Sequence, residues 1–129
     1  MKEIVNLPAL NAALATLNTP TSLLVRSQGM LYSCGIPPLD LERKTLIEGD
    51  LTTQTEAVLS LMKAALEGAG SSLEKVVKIT IYVTDTAHFG PVNEVYKRYF
   101  TSDYPVRSFV AVSPWPLPFD IEIDCIAEA

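Results

Sequence analysis

Residues 50–69 constrain the fold more than any other part of the sequence, because they predict one long amphipathic helix. Thr53-x-x-Glu56 has the pattern of a capping box, in which two side chains satisfy free N–H groups of the first turn. Gly68 and Gly70 predict the end of the helix. Apolar residues at helical spacing form a stripe that must pack against another element, namely Val58, Leu59, Met62, Ala65, Leu66 and Ala69.

A different period follows between residues 76 and 83. Here apolar residues alternate with Lys78, Thr80 and Tyr82, which is the period-two pattern of a strand with one buried face. The residues predicted to lie on that face are Val77, Ile79, Ile81 and Val83. A helix and a strand that each have one apolar side are expected to pack against each other.

The remaining segments predict four strands and a second helix. Residues 23–27 and 30–35 are expected to form a hairpin at Gln28-Gly29, since glycine readily adopts the positive φ of a tight turn. Residues 106–112 and 121–127 predict two more strands. The second helix is predicted to follow a cap at Asp85 or Thr86, with an apolar stripe formed by Phe89, Val92, Val95, Tyr96 and Tyr99.

The segment at residues 6–18 leaves two structures open, a loop or a short helical turn, because Pro8 interrupts an Ala- and Leu-rich stretch. Without it, the order of elements is β-β-α-β-α-β-β, within one domain that spans residues 1–129. This order predicts an α+β fold in which one sheet carries two helices on one face. The opposite face is predicted to carry Tyr82, Phe109 and Ile126. Because two helices cannot cover both faces, we expect another subunit to cover the second one.

Composition argues against several functions. Ten basic and fifteen acidic residues give a net charge of −5 without any basic cluster, so no nucleic-acid partner is expected. The apolar stretches are too short to span a bilayer, so no membrane partner is expected either. Cys34 and Cys125 lie far apart in sequence, which favours a reducing compartment, and we predict a cytoplasmic location. With one histidine and no carboxylate cluster, no metal site is predicted.

Arg107 is the most informative candidate for a functional residue, because it interrupts the apolar strand that begins at Val106. A buried charge without a partner is costly, so the guanidinium needs a negative group. One interpretation is a structural salt bridge within the chain. The other is a guanidinium fork that holds the carboxylate of a small ligand by two parallel hydrogen bonds.

Three further residues could carry chemistry. Glu122 and Asp124 alternate with apolar residues, so both should point to one face of the last strand, about 7 Å apart. A solvated strand edge explains such a pair, whereas a position beside a cleft would let Glu122 orient or deprotonate a water molecule. Cys34 could be a nucleophile only with His88 as its base, and inert packing is the favoured interpretation.

Several blocks, taken in order, resemble the RidA (YjgF) family of imine and enamine deaminases. They cover the chain from about Pro20 to its end, and the ordered set is more specific than any single block. The blocks are residues 30–35 with the prolines that follow, Glu48-Gly49-Asp50 with Gln54-Thr55, residues 68–78, residues 92–96, Tyr99-Phe100, residues 105–108 and residues 121–127.

The resemblance implies a chorismate-mutase-like fold and a homotrimer with three clefts between its subunits. It also implies hydrolysis of 2-imino or enamine acids to 2-keto acids and ammonia, with no cofactor. Arg107 would hold the carboxylate of the small-molecule substrate, and Glu122 would place the attacking water. Cys34 and Gly35 would line the pocket, and the backbone of Phe109 would supply a further carboxylate contact.

Some positions differ from the family pattern. Thr19-Pro20-Thr21 stands where a glycine-proline-tyrosine stretch is usual, Ile36 where glutamine is common, and Phe109 where the residue is smaller. Asn93 matches a helix asparagine whose role is expected to be structural. The differences leave two alternatives open. One is a deaminase of a larger enamine acid from aromatic or pyrimidine breakdown, and the other is a non-catalytic trimer that binds small carboxylates.

Overall fold

One main sheet organises the chain, and three helices pack on one side of it. The computed structural model describes residues 1–129. In chain order the elements are β1 (Glu3–Ile4), α1 (Pro8–Ala15), β2 (Leu24–Ser27), β3 (Met30–Ser33), β4 (Leu39–Asp40), β5 (Thr45–Leu46), α2 (Leu51–Gly68), β6 (Val76–Val83), α3 (Phe89–Tyr99), β7 (Val106–Ala111) and β8 (Ile121–Glu128). None of the helices combines the length and the hydropathy that a membrane crossing requires.

The main sheet has six strands in the order β1-β2-β3-β8-β6-β7. Neighbouring strands are antiparallel except β6 and β7, which are parallel and are joined through α3. Strands β4 and β5 form a separate two-stranded sheet. The predicted α+β class with one main sheet is confirmed.

The N-terminal segment that the sequence left open is a helix. Pro8 occupies the first turn of α1, where its missing N–H removes no intrahelical bond. Leu14 of this helix is buried in the same apolar core as α2 and the sheet. The prediction of two helices is therefore wrong, because an interrupted sequence pattern hid a short helix that tertiary packing stabilises.

The hairpin between β2 and β3 is confirmed. Gln28 and Gly29 have φ values of +49° and +77°, which is the pair of positive angles that a two-residue turn of right-handed twist needs. The turn sets the register, in which Val25 pairs with Tyr32 and Leu24 pairs with Ser33.

The start of α2 differs from the predicted capping box. Asp50 is the cap, and its carboxylate accepts a hydrogen bond of 2.8 Å from the backbone N–H of Thr53. Glu56 does not fold back on the helix. Instead it accepts hydrogen bonds from Arg98 at 2.6 Å and from the hydroxyl of Tyr99 at 2.7 Å, which join α2 to α3.

The predicted buried face of β6 is right for three residues and wrong for Val77. An irregularity in the pairing with β8 between Val76 and Lys78 shifts the alternation by one residue. Val76 is consequently buried, and Val77 is 41% exposed. Sequence alternation alone cannot detect a bulge of this kind.

The core lies between the sheet and the helices, and the opposite face of the sheet has no helix on it. Alternate residues of β8 are buried on the helix side, whereas Glu122, Asp124 and Ile126 face the other way. We call this second side the open face. Large apolar residues are well exposed there, namely Ile4, Tyr32, Val77, Val106 and Val110.

The prediction that Phe109 lies on the open face is wrong. In the parallel pairing of β6 with β7, Phe109 aligns with buried Ile81, and Arg107 aligns with buried Ile79. Paired residues point to the same side of a sheet, so both side chains lie on the helix side. Tyr82 aligns with Glu122 and belongs to the open face, as expected.

Gln54 links the start of α2 to the start of β8. Its side chain is nearly buried, and its amide donates to the carbonyl of Gly49 at 2.9 Å and to the carboxylate of Asp120 at 3.1 Å. Its carbonyl oxygen accepts from the backbone N–H of Asp120 at 2.8 Å. Three bonds from one side chain fix where β8 enters the sheet.

We predict that Gln54→Ala lowers the free energy of unfolding by about 1–3 kcal/mol, because it leaves half-buried backbone groups without a partner. Thr52→Ala, an exposed change on the same helix, should alter it by less than about 0.5 kcal/mol. Urea unfolding at one protein concentration measures both values. Equal losses in the two variants would show that these bonds do not stabilise the fold.

Candidate functional site

Glu122 is the acid of the open face whose carboxyl group has the tightest surroundings. It lies on β8 opposite Tyr82, and its carboxyl group rests against Gly35, just beyond the end of β3. A Cβ atom at Gly35 would come within 3.1 Å of the carboxyl carbon of Glu122 and would contact a carboxyl oxygen even more closely. The glycine therefore provides the space that this carboxyl group occupies.

The chain arranges a second acid beside it. Asp124 lies two residues further along β8 on the same face, and it accepts a hydrogen bond of 2.9 Å from the hydroxyl of Tyr82. Burial raises the pKa of Glu122 to about 7, and the negative charge of Asp124 adds to the effect. A carboxyl group with such a pKa can accept or donate a proton near neutral pH.

Cys34 adjoins this acid but is poorly suited to be a nucleophile. Burial raises the pKa of its thiol to about 12, and the negative charge of Glu122 acts in the same direction. The thiol is therefore protonated at neutral pH, where a nucleophilic cysteine would need to be a thiolate. His88 lies in the turn before α3. Inert packing, the favoured interpretation of Cys34, agrees with this.

Arg107 lies on the other side of the sheet, and it has no anionic partner. The three salt bridges of the chain join other residues, and the Arg107 side chain makes no hydrogen bond. The carbon of its guanidinium instead lies 4.8 Å from the ring centre of Tyr96 and 5.7 Å from that of Phe89. The interpretation of Arg107 as one half of a salt bridge within the chain is therefore wrong.

The guanidinium faces a surface pocket of about 400 Å³. The residues that line it are Asn93, Tyr96, Lys97, Tyr104, Pro105 and Arg107. Two buried polar atoms here have no hydrogen-bond partner, the side-chain oxygen of Asn93 and the hydroxyl of Tyr96. Buried polar groups are rarely left unsatisfied, so these two atoms indicate a place where a polar ligand or another chain completes the structure.

Sequence reasoning missed most of this pocket. Asn93 was expected to be structural, and Tyr96 was assigned only to the apolar stripe of α3. Their spacing of three residues does place both on one side of a helix, and Lys97 continues that row. No sequence pattern shows that this row lies beside Arg107, because α3 and β7 meet only through the parallel crossover.

The two groups of residues cannot meet within one chain. Glu122, Gly35 and Asp124 lie on the open face, whereas Arg107 and Phe109 lie on the helix side. The sheet separates them. A single site that uses both Arg107 and Glu122 therefore requires two copies of the chain.

The structure brings no three His, Cys, Asp or Glu side chains into a group that could hold a metal ion. On the open face, β8 carries only two acids side by side, Glu122 and Asp124. The polar groups of the two regions are the cations Arg107 and Lys97 on the helix side, and Glu122, with its raised pKa, beside Asp124 on the open face.

Comparisons of this chain with known proteins all point to one family. Residues 11–129 match the family model described as Endoribonuclease L-PSP. A RutC family protein of Pyrococcus horikoshii is 40% identical over 108 residues, which are 84% of this chain and 86% of that protein. Reactive Intermediate Deaminase A from the chloroplast of Arabidopsis thaliana is 36% identical over 126 residues, which are 98% of this chain and 65% of that protein.

A solved structure of similar fold carries a small ligand. The crystal structure of E. coli TdcF with bound serine has a TM-score of 0.80 and 31% sequence identity to this chain. The match covers 86% of this chain and 89% of TdcF.

We predict that the carboxyl group of Glu122 titrates with a pKa of about 7. Asp124→Asn should lower this pKa, because it removes the neighbouring negative charge. The ¹³C chemical shift of the labelled carboxyl group, followed against pH, measures it directly. Glu67→Gln removes the same charge from an exposed position on α2 and should leave the Glu122 titration unchanged. Titration near the usual 4.5 would contradict the effect of burial.

Proposed function

This chain belongs to the RidA (YjgF) family, in which a reactive intermediate deaminase is a named member, and from this premise we propose that it hydrolyses 2-imino and enamine carboxylic acids to 2-keto acids and ammonia. The observation that carries the proposal is that the chain contains both an arginine without an anionic partner, Arg107, and an acid with a pKa of about 7, Glu122. The first suits a carboxylate, and the second suits proton transfer at neutral pH.

The proposed site is a cleft between neighbouring copies of a homotrimer. One copy contributes Arg107 and the backbone of Phe109, and its neighbour contributes Glu122, Gly35 and Cys34. Two observations support this arrangement. The two half-sites lie on opposite faces of the sheet, and the open face exposes apolar residues that a neighbouring copy would cover.

The chemistry needs no covalent intermediate with the protein. Arg107 holds the substrate carboxylate, and a water oxygen attacks the carbon of the protonated imine while Glu122 accepts the proton that the water loses. The same carboxyl group then returns that proton to the nitrogen. The C–N bond breaks while Glu122 takes the proton of the new hydroxyl group, so a carbonyl forms and ammonia is released. The ammonia then takes up this proton and leaves as ammonium. An iminium and one water thus give one keto acid and one ammonium ion.

TdcF, a relative of this chain, binds serine, a small molecule that carries a carboxylate and an amino group. A small nitrogen-bearing carboxylate of this kind fits the pocket at Arg107. A deaminase of larger enamine acids would use the same two residues, and a carboxylate-binding trimer without catalysis would use Arg107 alone. The name Endoribonuclease L-PSP implies cleavage of RNA, but the net charge of −5 of this chain disfavours RNA binding.

We propose a cytoplasmic location, in agreement with two cysteines that are both free thiols.

We predict that Arg107→Ala lowers kcat/KM for iminopropanoate about 100-fold, because a charge-assisted bidentate contact is worth up to about 3 kcal/mol. Glu122→Gln should lower it by at least about 100-fold. An amino-acid oxidase generates the imine from alanine, and semicarbazide traps whatever imine the protein leaves. Arg43→Ala and Glu67→Gln, which remove exposed charges elsewhere, are the matched controls.

The pH profile of the same assay tests the role of Glu122. Its carboxylate form dominates above a pKa of about 7, so kcat/KM should fall as the pH drops through that value. No turnover of any imine at any pH, together with binding of 2-keto acids, would replace the deaminase with the non-catalytic alternative. Turnover restricted to an aminomuconate would favour the deaminase of larger enamine acids.

We predict that two inactive variants complement each other in mixed assemblies, because each cleft takes Arg107 and Glu122 from different copies. When Arg107→Ala and Glu122→Gln chains are coexpressed in equal amounts, about one quarter of the clefts contain both intact residues. Activity should return to about that fraction. Each variant alone stays inactive.

The double variant mixed with the unchanged chain is the control for complementation. About one quarter of the clefts are intact if the site spans two copies, and about one half if it lies within one copy. The mass of the assembly in solution is measured on the same samples. A monomer at all concentrations would rule out the proposed cleft.

A further inference from the structure

One aromatic side chain beside Arg107 is more exposed than packing of a core requires. Phe89, the first residue of α3, is 50% exposed, and its ring lies 5.7 Å from the guanidinium carbon of Arg107. The ring of Phe109 meets that of Phe89 edge to face, with centres 5.0 Å apart and an angle of 89° between the planes. We call Phe89 and Phe109 the aromatic shelf.

The pocket at Arg107 has an aromatic residue in its own lining, whereas Phe89 and Phe109 lie beside the guanidinium and outside that lining. Tyr104 is 64% exposed and lines the pocket together with Pro105 and Arg107. Lys97 is the other charged residue in the lining, and no carboxylate is present. A ligand whose carboxylate binds Arg107 therefore has apolar surface within reach, with Tyr104 in the pocket and Phe89 beside the guanidinium.

Substrate size decides how much of this surface is used. The methyl group of iminopropanoate is too small to cover the shelf, whereas a branched or aromatic side chain would remove apolar surface of both partners from water. Each additional buried methylene should raise kcat/KM about fourfold, so the difference between small and large side chains should be measurable.

We propose that the aromatic shelf binds the side chain of the substrate, so that this chain prefers 2-imino acids with bulky apolar or aromatic side chains to the imine of alanine. The inference rests on the proposed function, because it concerns the same cleft. It adds Phe89 and the side chain of Phe109 as residues that determine specificity.

The test compares imines that an amino-acid oxidase generates from phenylalanine, leucine and alanine. The ratio of kcat/KM for the phenylalanine imine to that for the alanine imine should be about 10 to 100 in the unchanged chain. Phe89→Ala and Phe109→Ala should bring this ratio towards one. Phe89→Leu and Phe109→Leu, which keep an apolar side chain, should retain the ratio for the leucine imine.

Binding of unreactive acids separates failure of the inference from failure of the function. Dissociation constants for 3-phenylpropanoate and propanoate, measured by calorimetry, need no turnover. If no imine is hydrolysed but 3-phenylpropanoate binds at least about 10-fold more tightly than propanoate, the proposed deaminase function is wrong, whereas the binding role of the aromatic shelf is supported. Equal kcat/KM values for all imines, unaffected by the alanine variants, would overturn the shelf and leave the deaminase in place.

A neighbouring copy is the other possible occupant of the shelf. In that case Phe89→Ala and Phe109→Ala would dissociate the assembly, and its mass in solution would fall. That outcome would also overturn the inference. An unchanged mass with a reduced ratio supports it.

Discussion

The alternation of side chains along paired strands is the constraint on which the candidate site depends. Arg107 on β7 aligns with Ile79, and Glu122 on β8 aligns with Tyr82, so the sheet sends the two charged groups to opposite sides. A slip of β8 by one residue would bring Glu122 to the side of Arg107. The same slip would turn the buried residues of β8 out of the core, which is far more costly. Burial of an apolar core thus enforces the separation, and a site that used both residues would need a second copy of the chain.

The charged groups of the site stand out because two other arginines, Arg26 and Arg98, both have anionic partners. Arg26 donates to the carbonyl of Ala69 at 2.7 Å and pairs with Glu3, and Arg98 pairs with Glu56. Arg107 lies against aromatic rings and has no anionic partner, and burial raises the pKa of Glu122 to about 7. Local inconsistencies of this kind are expected where a structure serves binding or catalysis.

Sequence patterns predicted the elements with strong periodicity, and they failed where tertiary contacts decide. The hairpin at Gln28-Gly29 followed from local backbone preference, and so did the long helix, apart from its cap at Asp50. The bulge near Val77 and the side on which Phe109 lies could not be predicted, since both depend on pairing with distant strands. Arg107 and Glu122 could be named from chemistry and resemblance. Their separation by the sheet could not, because register is a property of the folded chain.

Strands hold the charged residues Arg107 and Glu122, whereas the aromatic residues Phe89 and Tyr104 lie at the start of a helix and in a loop. Glu122 lies on β8, whose alternate residues are in the core, and Arg107 lies on β7, which pairs along its whole length with the core strand β6. Packing and strand pairing therefore fix the backbone positions of both residues. Phe89 lies at the first turn of a helix and Tyr104 in the loop before β7, and both are largely exposed. Changes at Tyr104 alter the lining of the pocket, and changes at Phe89 alter the surface beside Arg107, in both cases with little effect on the core. A fold built in this way can keep one reaction while its preference for substrate side chains varies.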